Sequence, residues 1–239
     1  MSDQPHTRTV AFRGGGFNPK PIRMIGLVVF IVIIALWEFL SRIGAIPPLF
    51  MPAPSQAWSA LQNLYTTGLL WVHLEASTYR LLLGWSLGTL LGLVVGIMIG
   101  LFSIARAGLI PLVSAIFPIP KIALLPLFII WFGIGEGSKV ATILFGVFFP
   151  TVIGTFGGVD NVDRGLIRMG QSFGLSWWSI VRKIILPGAL PAILSSFRIS
   201  ASIAIILLVA AEMIGAEYGI GAYVLMAGNL MATDELIAG

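Results

Sequence analysis

Residues 162–187 read VDRGLIRMGQSFGLSWWSIVRKIILP, a polar, cationic stretch lying between two apolar runs of membrane length. Its cations, Arg164, Arg168, Arg182 and Lys183, predict a cytoplasmic position, because Lys and Arg accumulate in cytoplasmic juxtamembrane loops. Apolar residues recur within it at helical spacing, so it is expected to fold as short amphipathic helices and not as a tether. Two such helices fit, about 163–173 and 176–185, with Asp163 and Ser176 as N-caps and Gly174 as the left-handed residue between them. Trp177 and Trp178 are large anchors of a kind enriched at interfaces, though tryptophans also seat in lipid headgroups. A plain connection between adjacent helices needs only about 2–8 residues. The extra length predicts a docking surface for a soluble partner.

Outward from this segment the chain is built for lipid. It is 57% hydrophobic and 10% charged, with a mean hydropathy of +0.99, whereas a soluble domain carries about 25% charge. The net charge of +4 does not indicate nucleic-acid binding, since no basic stripe interleaved with aromatics occurs. The cations sit at the ends of apolar runs, as topology signals. The chain has no cysteine, which excludes disulfides and zinc–thiolate sites. Two histidines, His6 in the polar N-terminal tail and His73 in an expected loop, cannot build a histidine metal site within one chain.

A bilayer core takes about 20 apolar residues per helix. On that basis five spans are expected: Met24–Ile43, Tyr79–Phe102, Leu109–Phe132, Val140–Phe156 and Ala189–Ala211. The predicted class is an all-α membrane protein, a polytopic helical bundle. It comprises a cytoplasmic tail, 1–23, and a single transmembrane domain, 24–239, with the cytoplasmic loop at about 160–187. The first span is read as uncleaved, for no convincing small-residue cleavage site follows it. Between the first two spans, Ala45–Thr78 reads as a proline-rich polar stretch holding a short helix that begins at Ser55 as N-cap and runs to Leu64. Gly133–Lys139 and Glu212–Gly221 read as glycine-rich turns on the outer side. Five spans leave the C-terminus outside, and a sixth span is expected to be missing there.

The cations agree with that topology. Arg8, Arg13, Lys20, Arg23, Arg106, Arg164, Arg168, Arg182 and Lys183 fall inside, and Arg42, Arg80 and Lys139 outside, the last three together with Glu75, Glu136 and Glu217.

Three further patterns carry chemistry or packing. Gly84, Gly88, Gly92, Gly96 and Gly100 recur every fourth residue, giving one smooth face for close backbone approach by another helix or, as the alternative, for a solute path. Pro111, Pro118, Pro120 and Pro126 fall in the third span, where each removes a backbone donor and predicts a kink. Lys121 lies among them, and an intramembrane cation is a functional candidate. Lys121, Pro120 and Pro126 are therefore candidate solute-path residues suited to an anion, with a snorkelling lysine as the alternative. Arg80 and Glu212 fall at the same side of the membrane and can form a structural ion pair. Gly133–Lys139 lacks the spacing of a phosphate loop and follows a span, not a core strand.

With these residues in hand, the chain resembles permease subunits of binding-protein-dependent ABC importers. Gly174 followed by Ile184-Ile185-Leu186-Pro187 is similar to their cytoplasmic coupling loop. Met51-Pro52-Ala53-Pro54-Ser55, Pro118-Ile119-Pro120-Lys121 through Leu127, Trp131 to Glu136 and Ala210 to Gly215 are similar to the nitrate/sulfonate/taurine branch. The likeness spans about 51–239 and implies a type I importer permease in the bacterial inner membrane. It implies partners as well: ABC ATPase subunits, an extracytoplasmic solute-binding protein, and a second permease subunit in a homodimer. ATP–Mg would be bound and hydrolysed on the ATPase, with no cofactor on this chain, which is not itself an enzyme. Arg168, Gly170, Gly174, Trp177, Ile184, Leu186 and Pro187 are then the expected coupling residues. One departure stands out: the family's loop starts Glu-Ala-Ala, and here those positions hold Arg168-Met169-Gly170. The implied solute is a small anion such as a sulfonate, taurine or nitrate, with a neutral or cationic vitamin precursor left open. The competing reading, an autonomous secondary transporter or channel, predicts inverted repeats and an acidic group in mid-membrane; no convincing repeat occurs and the acids sit near span ends.

Overall fold

The computed structural model describes residues 23–239, and every regular element among them is helical. The N-terminal tail, with His6, Arg8, Arg13 and Lys20, lies outside the described residues. By length and apolarity, helices at 24–42, 69–101, 136–160 and 177–215 can each cross a membrane, and a bent pair, 103–116 with 121–132, can make a fifth span.

Helix α1 (Arg23–Arg42) is exposed along nearly its whole length, as suits a helix surrounded by lipid. Its end is tied to α2 (Pro54–Thr66) through Glu38, which accepts from the Ser55 amide at 3.0 Å and the Ser55 hydroxyl at 2.8 Å. Ser55 is therefore not the N-cap expected of it. Ala53 holds that position, and its amide donates to Gln56 Oε1 at 2.9 Å.

The next helix, α3 (Leu69–Leu101), begins ten residues before the expected Tyr79. Gly68, at φ +77°, ends the preceding turn, and no glycine or proline interrupts the chain until Gly84. The polar residues that lowered the hydropathy of this turn, His73, Ser77 and Arg80, share one buried face of α3. His73 is thus a buried helical residue, not a loop residue.

The expected straight third span is broken. Helix α4 (Ser103–Ile116) stops before Pro118 and Pro120, a 3-10 turn covers Lys121–Leu124, and α5 (Leu125–Phe132) leaves at 89°. The prolines play unequal parts. Pro111 is absorbed inside α4, Pro126 occupies the first turn of α5, where no N–H is needed, and only Pro118 and Pro120 stand at the break.

Helix α6 (Glu136–Asp160) is longer at both ends than the expected 140–156. It is the centre of the bundle. The glycine face of α3 lies against it in parallel: a Cβ at Gly88 would stand 2.6 Å from the Leu144 carbonyl oxygen, one at Gly92 2.8 Å from that of Phe148, and one at Gly96 2.8 Å from that of Val152. Backbone approach this close explains the four-residue repeat. The opposite face of α6 receives the antiparallel α9 (Leu186–Gly215), with Gly158 against Ala189 and Ala192, and Ile143 and Val147 clustered with Ala204, Leu207 and Leu208.

Helix α7 (Arg164–Ser172) and helix α8 (Trp177–Ile180) form a hairpin, and α8 runs through a π turn, Val181–Ile185, directly into α9. The expected end of the second hairpin helix near Ile185 does not occur. Pro187 falls in the first turn of the α segment that follows the π turn, so its missing N–H costs little. Helix α10 (Ile220–Asn229) folds back on α9, and α11 (Thr233–Ala238) packs on α2 and reaches the segment before it, where Thr233 Oγ1 donates to the Pro48 carbonyl at 3.0 Å.

Candidate functional site

Two polar centres lie at opposite ends of the α3–α6–α9 bundle. From Glu136 to Asp160 the rise along α6 is about 36 Å, close to the membrane thickness of about 30 Å for the hydrocarbon core.

At the Asp160 end stands the hairpin. Asp163 Oδ1 accepts from the Gly165 amide at 2.7 Å and Ser176 Oγ from that of Ser179 at 3.3 Å, so both helices are capped by their own sequence. Gly174, at φ +70°, ends α7. Its amide donates to the Gln171 carbonyl at 2.9 Å and that of Leu175 to Gly170 at 3.1 Å, the bond pair of a Schellman motif. Gly170 is buried, with Ile184 Cδ1 2.9 Å from where its Cβ would be, so α7 packs closely on the π turn. Arg168 is exposed, Ile184 and Leu186 are half-buried, and Pro187 is exposed. Phe173, Trp177 and Trp178 are exposed, and the two indoles stack at 5.8 Å. The hairpin presents an apolar patch among the cations Arg164, Arg168, Arg182 and Lys183. Arg106 Nη2 donates to Asp160 Oδ1 at 2.6 Å beside it, joining α4 to α6.

At the other end, Arg80 is the hub. Its Nη1 donates to Glu212 Oε1 and to the Tyr218 carbonyl, each at 2.7 Å, and its Nη2 to Glu136 Oε1 at 2.7 Å. Ser77 Oγ donates to Glu212 Oε1 at 2.8 Å, and the Gly221 amide donates to Glu212 Oε2 at 2.9 Å. His73 Nδ1 accepts from the Gly219 amide at 3.0 Å. Arg80 and Glu212 are only 3% and 1% exposed, so this charge pair is compensated inside the protein and not by water. Gly219, at φ +138°, has no room for a Cβ, which would stand 2.7 Å from Arg80 Nη1.

The break between α4 and α5 is held by Lys121. Its ammonium donates to the carbonyls of Ile116 at 3.0 Å and of Phe117 and Ile119 at 2.7 Å, and lies 4.9 Å from the Phe149 ring centroid. Every ammonium proton thus has a backbone acceptor. A groove of about 410 Å³ lies next to the break, lined by Phe117, Pro150, Ile153, Gly154, Gly157, Gly158, Ala192, Ser195, Ser196 and Ile199, and neither Lys121, Pro120 nor Pro126 lines it.

Residues 88–239 match a family model described as "Binding-protein-dependent transport system inner membrane component". The chain belongs to this family. Among curated relatives of this permease, a putative aliphatic sulfonates transport permease protein, SsuC, of Escherichia coli (strain K12) is 39% identical over 86% of this chain and 78% of its own length. The taurine transport system permease protein TauC of the same organism is 39% identical over 87% and 78%. The SsuC protein of Bacillus subtilis (strain 168) is 37% identical over 98% and 85%. In fold, the permease is similar to a chain of the MetNI methionine ABC transporter in an inward-facing form, with a TM-score of 0.58 at 23% identity over 72% of this chain and 89% of that one. The fold is that of a type I importer permease, and the chain is an inner-membrane component of a binding-protein-dependent transport system.

Sequence reasoning missed the partners of Arg80 other than Glu212. Glu136 from α6, Ser77 and His73 from α3 and the Tyr218 carbonyl from a loop converge on the site, and no local spacing announces that. It also passed over Arg198, a cation within α9.

Proposed function

We propose that this permease subunit forms the solute path of an ATP-driven importer for small organic sulfonates of the taurine type, and that a separate ATPase drives it through the α7–α8 hairpin. The observation that carries this reading is the continuity of α8 with α9 through the π turn. A push on the hairpin is delivered to a helix that is buried against α6 along its length, with no flexible joint between. The exposed Phe173, Trp177 and Trp178 supply apolar anchors for a groove on the ATPase, and the surrounding cations suit an acidic rim. Arg168 stands where the resemblance to the family's coupling loop implies an acid, so the complementary groove should carry a carboxylate at that point.

In this reading the hairpin and the Arg106–Asp160 pair face the cytoplasm, the N-terminus is cytoplasmic, and the Arg80 centre faces outward, towards a solute-binding protein that selects the cargo. ATP–Mg is bound and hydrolysed by the partner. A second copy of the chain completes the path. Lys121 contributes by holding the wall at the α4–α5 break, with Pro120 at the break and Pro126 in the first turn of α5 beyond it. The sulfonate assignment is supported by the names of the similar SsuC and TauC proteins.

The test is purification with candidate ATPase and binding-protein partners, followed by uptake of labelled taurine into proteoliposomes. ATP-dependent, binding-protein-dependent uptake is expected. Uptake that persists without ATP, or a subunit that never retains an ATPase, overturns the reading.

A further inference from the structure

Lys139 is only 4% exposed, and no carboxylate lies within ion-pair distance of it among the described residues. Its ammonium donates instead to two backbone carbonyls, those of Ile134 at 2.8 Å and Gly135 at 3.1 Å. An ammonium carries three N–H donors, so one has no acceptor among the described residues. Buried charges are ordinarily paired, because an uncompensated one is costly to hold out of water. A buried cation with a donor to spare points to an acceptor that comes from outside the chain.

The space for such an acceptor adjoins the lysine. A pocket of about 320 Å³ lies where the end of α9 meets the turn between α5 and α6; a Cβ at Gly215 would stand 3.9 Å from Ile134 Cγ2. Lys139 lines this pocket, as do the two residues whose carbonyls hold it, together with Arg80, Glu136 and Glu217. Arg80 commits four of its five N–H groups to Glu136, Glu212 and the Tyr218 carbonyl, which leaves one at Nη2. Glu217 is exposed and enters none of the ion pairs among the described residues. The groove beside the α4–α5 break differs in kind, for no charged residue lines it.

The balance of charge narrows the ligand. Lys139 and Arg80 stand with three carboxylates, Glu136, Glu212 and Glu217, so the cluster is anionic by one charge. A simple anion would take the spare donors but meet that excess. A ligand bearing both signs answers the lysine and the free carboxylate together. We propose that this pocket binds a small zwitterion, its oxyanion on the Lys139 ammonium and the spare Arg80 N–H, and its own ammonium on Glu217. Both contacts are charge-assisted hydrogen bonds, the stronger kind. The inference rests on the transport reading and narrows it: an aminosulfonate of the taurine type is preferred over a plain alkanesulfonate, which leaves Glu217 unpaired and adds its charge to an anionic cluster.

The chain has no cysteine, so a single introduced thiol reports on the pocket. Gly215 suits it, because a Cβ there meets nothing closer than 3.9 Å and no charge is removed. The Gly215→Cys permease in nanodiscs is reacted with iodoacetamide, a small neutral reagent. Taurine is expected to slow the reaction severalfold, and ethanesulfonate, which lacks the ammonium, should not at equal concentration. Adding Glu217→Gln should abolish the protection, and Glu217→Asp should keep part of it. Lys139→Gln should abolish it too; Glu217 is exposed and outside the Arg80 hub, so its variants decide the matter even where the lysine variant does not fold. No protection by taurine, equal protection by ethanesulfonate, or protection that survives Glu217→Gln overturns the site. ATP-driven taurine uptake is read separately on the unsubstituted protein. Uptake without protection removes the site and leaves the importer reading; protection without uptake does the reverse.

Discussion

Arg80 Nη1 lies 2.7 Å from Glu212 Oε1, joining α3 to α9 across a site where both side chains are shielded from water. The pair also fixes the chain that follows α9, because Glu212 accepts from Gly221 and Arg80 donates to Tyr218. Breaking a buried pair on one side leaves an uncompensated charge, which costs about 3–5 kcal/mol. Arg80→Met and Glu212→Leu are each expected to lower thermal stability in detergent by that order. Glu136 is half-exposed at 51%, so Glu136→Gln should cost only about 0–1 kcal/mol. Equal losses in all three variants would refute the hub arrangement.

The glycine face of α3 yields a contrast within one kind of substitution. Gly88→Ala places a methyl against the Leu144 backbone, which cannot rotate away. Forcing atoms into a well-packed region costs about 1–3 kcal/mol. Gly108→Ala, in α4, meets nothing within 4 Å and should cause no loss. Thermal unfolding of the two variants in the same detergent separates them, and a stable Gly88→Ala protein would contradict the close approach of α3 and α6.

Gly174 holds the hairpin angle through its left-handed backbone. A residue with a Cβ pays about 1–2 kcal/mol there. Gly174→Val should straighten or loosen the hairpin and reduce ATP-driven uptake several-fold, with membrane insertion unchanged. Gly174→Asn should retain most uptake, since Asn tolerates this conformation. Full uptake by the valine variant would remove the hairpin from the coupling path.

Lys121 satisfies three carbonyls at the α4–α5 break. Lys121→Met leaves them without a donor in an apolar setting, at about 1–3 kcal/mol for an unsatisfied group. Lower thermal stability is expected with the affinity for solute little changed. A variant of undiminished stability that has lost uptake of anions would instead return Lys121 to the solute itself.

Much of the candidate site was legible because its signals are local. The caps Asp163 and Ser176 and the turn at Gly174 act within three residues of where they are written. The coupling of α8 to α9 was not legible. Pro187 reads as a helix boundary, and only the π turn ahead of it, stabilised by Val181 packed in the bundle, carries the helix through. His73 and Ser77 likewise suggested a polar loop. Their partners, Gly219, Ile220 and Glu212, lie more than a hundred residues away, and desolvated contacts with them make that turn of α3 a buried one.

By itself the sequence determined the membrane class, the glycine face of α3 and the position of the cationic hairpin, because hydropathy, four-residue spacing and capping are properties of neighbouring residues. The tertiary structure decided the rest. Which polar groups pair and how sharply the proline-rich span breaks both depend on chain segments distant in sequence meeting in a medium that leaves no buried donor, acceptor or charge to water.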